Sequence, residues 1–218
     1  MKSLRIKREG CFYSIGEEIA NAVSHGLGAL LSIAGTVLLL IYSVLQHDNY
    51  KIASSAIYGG SLIILFTMSS LYHALTNKEA KKVFRVFDHT SIFILIAGTY
   101  TPITLVTLHG FLGWLVFGVV WGAAVVGIVL NTISIERFKK FSMACYLLSG
   151  WSIVAIILPL VRNMAPGGLL LLFLGGIMYT GGVLFYRRKD IGYMHFVWHL
   201  FVLAGSLFHY FCILFYII

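Results

Sequence analysis

The chain has 218 residues, of which 59% are apolar and 11% charged, with a mean hydropathy of +0.91. A soluble domain of this size carries roughly 25% charged residues because its surface faces water. The composition therefore excludes an ordinary soluble fold and predicts an all-α polytopic membrane protein. The formal net charge of +8 suggests nucleic acid as a partner, but the charges lie where membrane topology requires them.

One crossing of the hydrocarbon core needs about 20 mostly apolar residues. Seven segments qualify, at 19–46, 52–75, 86–108, 111–133, 141–161, 168–186 and 193–216. The connections are short, so a single seven-helix domain over 1–218 is expected, with a short basic N-terminal segment of about 1–16. Met1 to Gly10 shows no compact apolar run before a small-residue cleavage site, and no cleaved signal is expected.

Lys2, Arg5, Lys7 and Arg8 precede the first segment, and Lys78, Lys81, Lys82 and Arg85 separate the second from the third. Arg137, Lys139 and Lys140 separate the fourth from the fifth, and Arg187, Arg188 and Lys189 the sixth from the seventh. Only Lys51 and Arg162 fall on the alternate set. Basic residues concentrate on the cytoplasmic side, so the N-terminus is predicted in the cytoplasm and the C-terminus outside. The net charge then reads as topology and contact with anionic lipid, without nucleic acid. The expected location is the cell membrane, as a multi-pass protein, with membrane lipids as substrate or ligand.

Ionisable groups inside membrane helices are costly and mark functional sites by default. On this topology Ser69 and His73 lie near the inner end of helix 2, and Asp88 and His89 in the first turn of helix 3. His195 and His199 fall in the first two turns of helix 7, and helix 1 brings Glu17, Glu18, Asn21 and His25 to the same side. Segments far apart in sequence thus place His, Asp, Glu and Ser at one depth. Ser69 with His73, and His195 with His199, are i, i+4 pairs that share a helical face. Two imidazoles one turn apart can hold one metal, and His73 would make a third. Catalytic zinc characteristically takes three protein ligands and keeps a fourth position open. Asp88 could then orient or deprotonate a water, and Ser69 could hydrogen-bond it or a substrate carbonyl. The same residues could instead be structural histidines at helix ends, or a transporter's proton relay.

The other histidines carry less. His47 and His109 fall in outer loops. His209 lies about 15 Å beyond His199 along the helix at 1.5 Å per residue, too far for the same metal. His25 is split between a supporting and a structural role, and His89 points away from Asp88. Cys11, Cys145 and Cys212 are scattered and form no disulfide framework. Gly118-x-x-x-Gly122 and the pairs Gly175-Gly176 and Gly181-Gly182 read as close helix packing. Pro102 predicts a kink in helix 3, with neighbouring threonines available to freed carbonyls.

Taken together, Ser69-Ser70-Leu71-Tyr72-His73, Asp88-His89 and His195-Phe196-Val197-Trp198-His199 resemble the hemolysin III family, the bacterial branch of the progestin and adiponectin receptor group. Glu17-x-x-x-Asn21-x-x-x-His25-Gly26 and Gly98-Thr99-Tyr100-Thr101-Pro102 are similar to motifs of the same family. The resemblance spans essentially the whole chain. It implies seven helices with a cytoplasmic N-terminus and a zinc ion held by His73, His195 and His199. It also implies Asp88 against the water on the zinc, with Ser69 nearby. The wider superfamily includes alkaline ceramidases, which hydrolyse lipid amides. The long N-terminal region of the animal receptors is missing, so a hormone-receptor role is not carried over.

Three functions follow in order. The first is a zinc-dependent hydrolase of lipid amide or ester bonds. The second is a cytolytic, pore-forming hemolysin, against which the apolar exterior argues. The third is a sensor of membrane lipid state with structural zinc.

Overall fold

The computed structural model describes residues 13–188 and 190–218. Lys2, Arg5, Lys7, Arg8, Cys11 and Lys189 lie outside the described residues. Seven helices are long and apolar enough to cross a membrane. They are α1 (Ile15–Leu45), α2 (Asn49–Ala74), α3 (Lys78–Leu108), α4 (Gly110–Ile133), α5 (Ile135–Asn163), α6 (Pro166–Tyr186) and α7 (Met194–Tyr216). The chain is an all-α, multi-pass membrane protein, as its composition predicts. Consecutive helices pack on one another, α7 closes against α1, and α3 is the most buried of the seven.

The helix starts follow from local chemistry. Ser14 and Glu17 form a reciprocal capping box at α1, which satisfies two donors that the first turn leaves open. Asp48 caps α2 and Asn77 caps α3 through side-chain oxygens. The exterior is apolar: Leu148 and Leu158 are 72% and 70% exposed, which suits hydrocarbon and not water. α1 is reversed relative to a soluble helix. Its buried stripe is Asn21, Ser24, His25, Gly28, Ser32 and Gly35, while Leu27, Leu30 and Leu31 face outward.

The structure corrects several boundaries. α3 begins at Lys78, so Lys78, Lys81, Lys82 and Arg85 lie on the helix and not in a loop. Asp88 therefore stands about three turns in, at 3.6 residues per turn, and not in the first turn. The Asn77 cap explains this, because it starts the helix in the polar zone before the apolar run. α5 likewise begins at Ile135, under a Ser134 cap, and carries Arg137, Lys139 and Lys140. Its Glu136 pairs with Arg85 of α3.

α5 is also interrupted, which the apolar run does not reveal. Regular turns end at Trp151, a tighter 3₁₀ stretch covers Ser152–Ile156, and α-geometry resumes at Ile157. Pro159 has no N–H to return to the carbonyl four residues back. Exposed backbone groups are untenable at membrane depth unless something satisfies them. Tyr100 of α3 does so: its hydroxyl donates to the Gly150 carbonyl at 2.9 Å and accepts from the Ile153 amide at 2.8 Å.

The kink predicted at Pro102 takes the form of a change from α to wider π turns over Ile103–Leu108. Thr101 and Thr104 donate to the Ala97 and Tyr100 carbonyls at 2.9 and 2.8 Å. Gly175 and Gly182 do allow close packing, since a Cβ at either would collide with His209 or with Trp198 and Phe201. Gly118 and Gly122 do not. Both are exposed, and a Cβ on either would meet nothing within 4 Å among the described residues.

Candidate metal centre

The first turns of α7, the last turns of α2 and the first third of α1 meet at one end of the bundle. α7 is preceded by Tyr193, which takes a left-handed backbone conformation (φ 63°). A side chain there is uncommon and must be held by its surroundings. Glu17 holds it: one carboxylate oxygen accepts from the Tyr193 amide at 2.6 Å, and the other from the Ser14 amide at 2.8 Å. The α1 capping residue thus fixes where α7 begins, and so where His195 and His199 point.

His73, His195 and His199 each bring one ring nitrogen to within 4.8 Å of the others. The Nε2 atoms of His195 and His199 lie 3.2 Å apart. His73 Nε2 is buried and has no hydrogen-bond partner among the described residues.

The opposite ring edges set the tautomers. His73 Nδ1 sits 2.6 Å from Glu18 Oε2, and a carboxylate can only accept, so Nδ1 carries the hydrogen and Nε2 a lone pair. Ser24 donates its hydroxyl hydrogen to the Asn21 carbonyl at 3.0 Å, which leaves its oxygen to accept from His199 Nδ1 at 3.4 Å. His199 Nε2 is then also a lone pair. His195 Nε2 can donate to the His199 lone pair at 3.2 Å, but the buried Nε2 lone pair of His73 has no donor among the described residues, an arrangement that a cation held among the three rings would relieve. The donor set suits a divalent transition metal that accepts imidazole.

Asp88 does not join the trio. It lines an adjoining cavity of about 160 Å³ with Ser69, His89, His195 and His199. The Ser69 and His89 side chains both approach its carboxylate, His89 Nδ1 at 3.5 Å. His89 also donates Nδ1 to the Arg85 carbonyl at 3.0 Å. The cavity walls are mainly apolar, with Leu65, Ile92, Leu95 and Val202 among them, and reach His209. From His195 to His209 is about 21 Å along α7 at 1.5 Å per residue. His209 itself takes no part in the trio, and its Nε2 donates to the Leu172 carbonyl at 3.1 Å. His47 and His109 are exposed in the α1–α2 and α3–α4 connections.

Glu18 and His25 stand at the same end of the bundle as the trio, as their sequence positions predict, but their contacts do not follow from those positions. His25 stacks face to face on His199, with centroids 3.6 Å apart. The His199 carbonyl approaches its ring without closing a hydrogen bond, and both ring nitrogens lack partners among the described residues. Tyr13 stacks on His195 at 4.7 Å. The signal for these α1 contacts is the spacing of Glu18, Asn21 and His25, at i, i+3 and i+7 on one helical stripe.

A family model described as "Haemolysin-III related" matches residues 13–210. "Hemolysin-3" of Bacillus cereus is 40% identical over 204 residues, covering 94% of this chain and 93% of that protein. "Hemolysin-3 homolog" of Bacillus subtilis (strain 168) is 43% identical, covering 94% and 96%. A human protein, "Monocyte to macrophage differentiation factor", is 29% identical, covering 90% and 83%. The matched region contains all three histidines of the cluster, and the chain belongs to the haemolysin-III-related family.

Proposed function

We propose that the protein is a membrane-embedded zinc hydrolase acting on an amide or ester bond of a lipid. The observation that carries this reading is the convergence of one ring nitrogen each from His73, His195 and His199, beside an apolar cavity that is also lined by Asp88 and Ser69. In this reading the three histidines hold zinc, which would supply Lewis acidity to the carbonyl and lower the pKa of a water toward ~7.

The remaining chemistry falls to the chain's own groups. The long apolar cavity takes the hydrocarbon part of the lipid and excludes bulk water. Ser69 orients the attacking water or the carbonyl oxygen by hydrogen bonding. Asp88 accepts the proton the water loses as its oxygen bonds to the carbonyl carbon. The C–N or C–O bond then breaks, and Asp88 returns the proton to the departing nitrogen or oxygen. A base in this position typically contributes 10²–10⁴-fold to rate.

The test is a turnover screen over defined lipid amides and esters in detergent or nanodiscs, wild type against Asp88→Asn. Asp88→Asn should keep its metal and lose about 10²–10⁴-fold in rate. Equal rates in the two proteins would leave zinc as a structural ion in a lipid-binding protein.

The name "Hemolysin-3" borne by the Bacillus cereus relative supports a second reading, direct lysis by a pore. Purified protein with His73, His195 and His199 all replaced by Ala separates the two. Dye release from liposomes equal to wild type would favour the pore.

A further inference from the structure

A second cavity, of about 270 Å³, is lined by Tyr13, Glu18, His73 and Lys81 among others. Its charged residues are nearly inaccessible: Glu18 is 8% and Lys81 6% exposed. The Glu18 carboxylate reaches in two directions. Oε2 accepts from His73 Nδ1 at 2.6 Å, and Oε1 lies 3.0 Å from Lys81 Nζ. Lys81 stands in the first turns of α3, with its Nζ 4.9 Å from the centre of the Tyr72 ring. One carboxylate from α1 therefore ties the metal-facing histidine of α2 to a buried lysine of α3.

A buried carboxylate or ammonium alone costs several kcal/mol, and the pair persists only because each compensates the other. Such a pair could be a plain staple between α1 and α3. The placement of the second oxygen argues for more. It fixes which nitrogen of His73 carries hydrogen, and so aims the Nε2 lone pair at His195 and His199. Carboxylates in this position raise ligand basicity as well as fixing ring orientation. The other two histidines have weaker supports, Ser24 at 3.4 Å for His199 and the Tyr13 ring for His195.

We infer that Glu18 is the principal positioning residue of the metal centre, acting through His73, and that Lys81 keeps its carboxylate in place. The inference rests on the three-histidine metal reading and not on the hydrolase chemistry.

The experiment uses the detergent-solubilised full chain, wild type against Glu18→Gln, Glu18→Leu and Lys81→Met. Zinc affinity is measured by chelator competition, the visible spectrum of the cobalt(II)-substituted protein reports ligand geometry, and thermal unfolding reports the fold. Glu18→Gln keeps shape and an acceptor oxygen, and should weaken zinc about 10–100-fold and shift the cobalt spectrum. Glu18→Leu should weaken it further, and Lys81→Met less than Glu18→Gln. If Glu18→Gln binds zinc as tightly as wild type with an unchanged cobalt spectrum, while both Glu18→Gln and Lys81→Met lower the unfolding midpoint alike, the pair is a staple and the inference is overturned alone. A wild-type protein that binds no divalent metal overturns the metal reading and the inference together. Zinc lost in Glu18→Gln with no lipid turnover in wild type supports the inference and sinks only the hydrolase.

Discussion

Several hydroxyls in the middle of the bundle behave differently from the polar side chains at the end that bears the histidine trio. Ser32, Thr99, Thr101 and Thr104 each donate to a carbonyl four residues back on their own helix. Such a hydroxyl is satisfied locally and has no hydrogen left to offer a ligand. At the other end the bonds run between helices, Glu18 to His73 and Lys81, Ser24 to His199 and Glu17 to Tyr193. These bonds leave the Nε2 lone pairs of His73 and His199 without hydrogens and turned toward one another. A polar residue in a membrane helix is thus weak evidence of function until its own hydrogen bonds are accounted for.

The hardest test of that contrast is metal content. Wild-type protein should retain about one equivalent of zinc through purification, and His73→Ala, His195→Ala or His199→Ala less than about a tenth, since a three-ligand site rarely survives loss of one. His209→Ala, in a helix position of similar burial, should retain wild-type zinc by elemental analysis. If all four variants bind alike, the distinction between the two regions fails. Removing the metal with a chelator should also lower the unfolding midpoint, because a ligand at 1,000 times its Kd stabilises by about 4 kcal/mol.

Ser69→Ala probes the site without touching the trio. It should keep zinc and slow lipid turnover by about tenfold, the equivalent of about 1.4 kcal/mol and near the worth of one neutral hydrogen bond. A loss as large as that of Asp88→Asn would make Ser69 an essential group and not an orienting one.

The seven crossings were legible because a membrane helix must be long, apolar and bounded by charge, and those properties live in the sequence one segment at a time. The trio was legible for a related reason: charge asymmetry gives each helix a direction, direction gives each residue a depth, and His73, His195 and His199 share one. Rotation about the helix axis is what depth leaves out. Nothing in the depth of Glu18 says that it, and not Glu17 beside it, meets His73, since that follows from how α1 turns against α2. Asp88 was placed too near its helix start because the apolar run begins at Val86, whereas the Asn77 cap starts the helix eight residues earlier. The break in α5 was invisible for a further reason. Pro159 and Ser149-Gly150 stand inside its run, but the partner that satisfies the freed backbone is Tyr100, 53 residues from Ile153.

That break supplies the smallest effect worth measuring. Tyr100→Phe removes only a hydroxyl, far from the trio, and leaves the Gly150 carbonyl and the Ile153 amide without their cross-helix partner. A backbone group left without a partner away from water costs about 1–3 kcal/mol. For a chain of this length each kcal/mol moves the unfolding midpoint by about 2–4 °C, so a drop of a few degrees is expected with zinc content unchanged. Tyr100, Gly150 and Trp151 also line the long cavity. A relaxed α5 should therefore weaken binding of long-chain lipids more than short-chain ones, read as a chain-length series on wild type and Tyr100→Phe. An unchanged midpoint would mean that the carbonyl and amide find new partners within α5 itself.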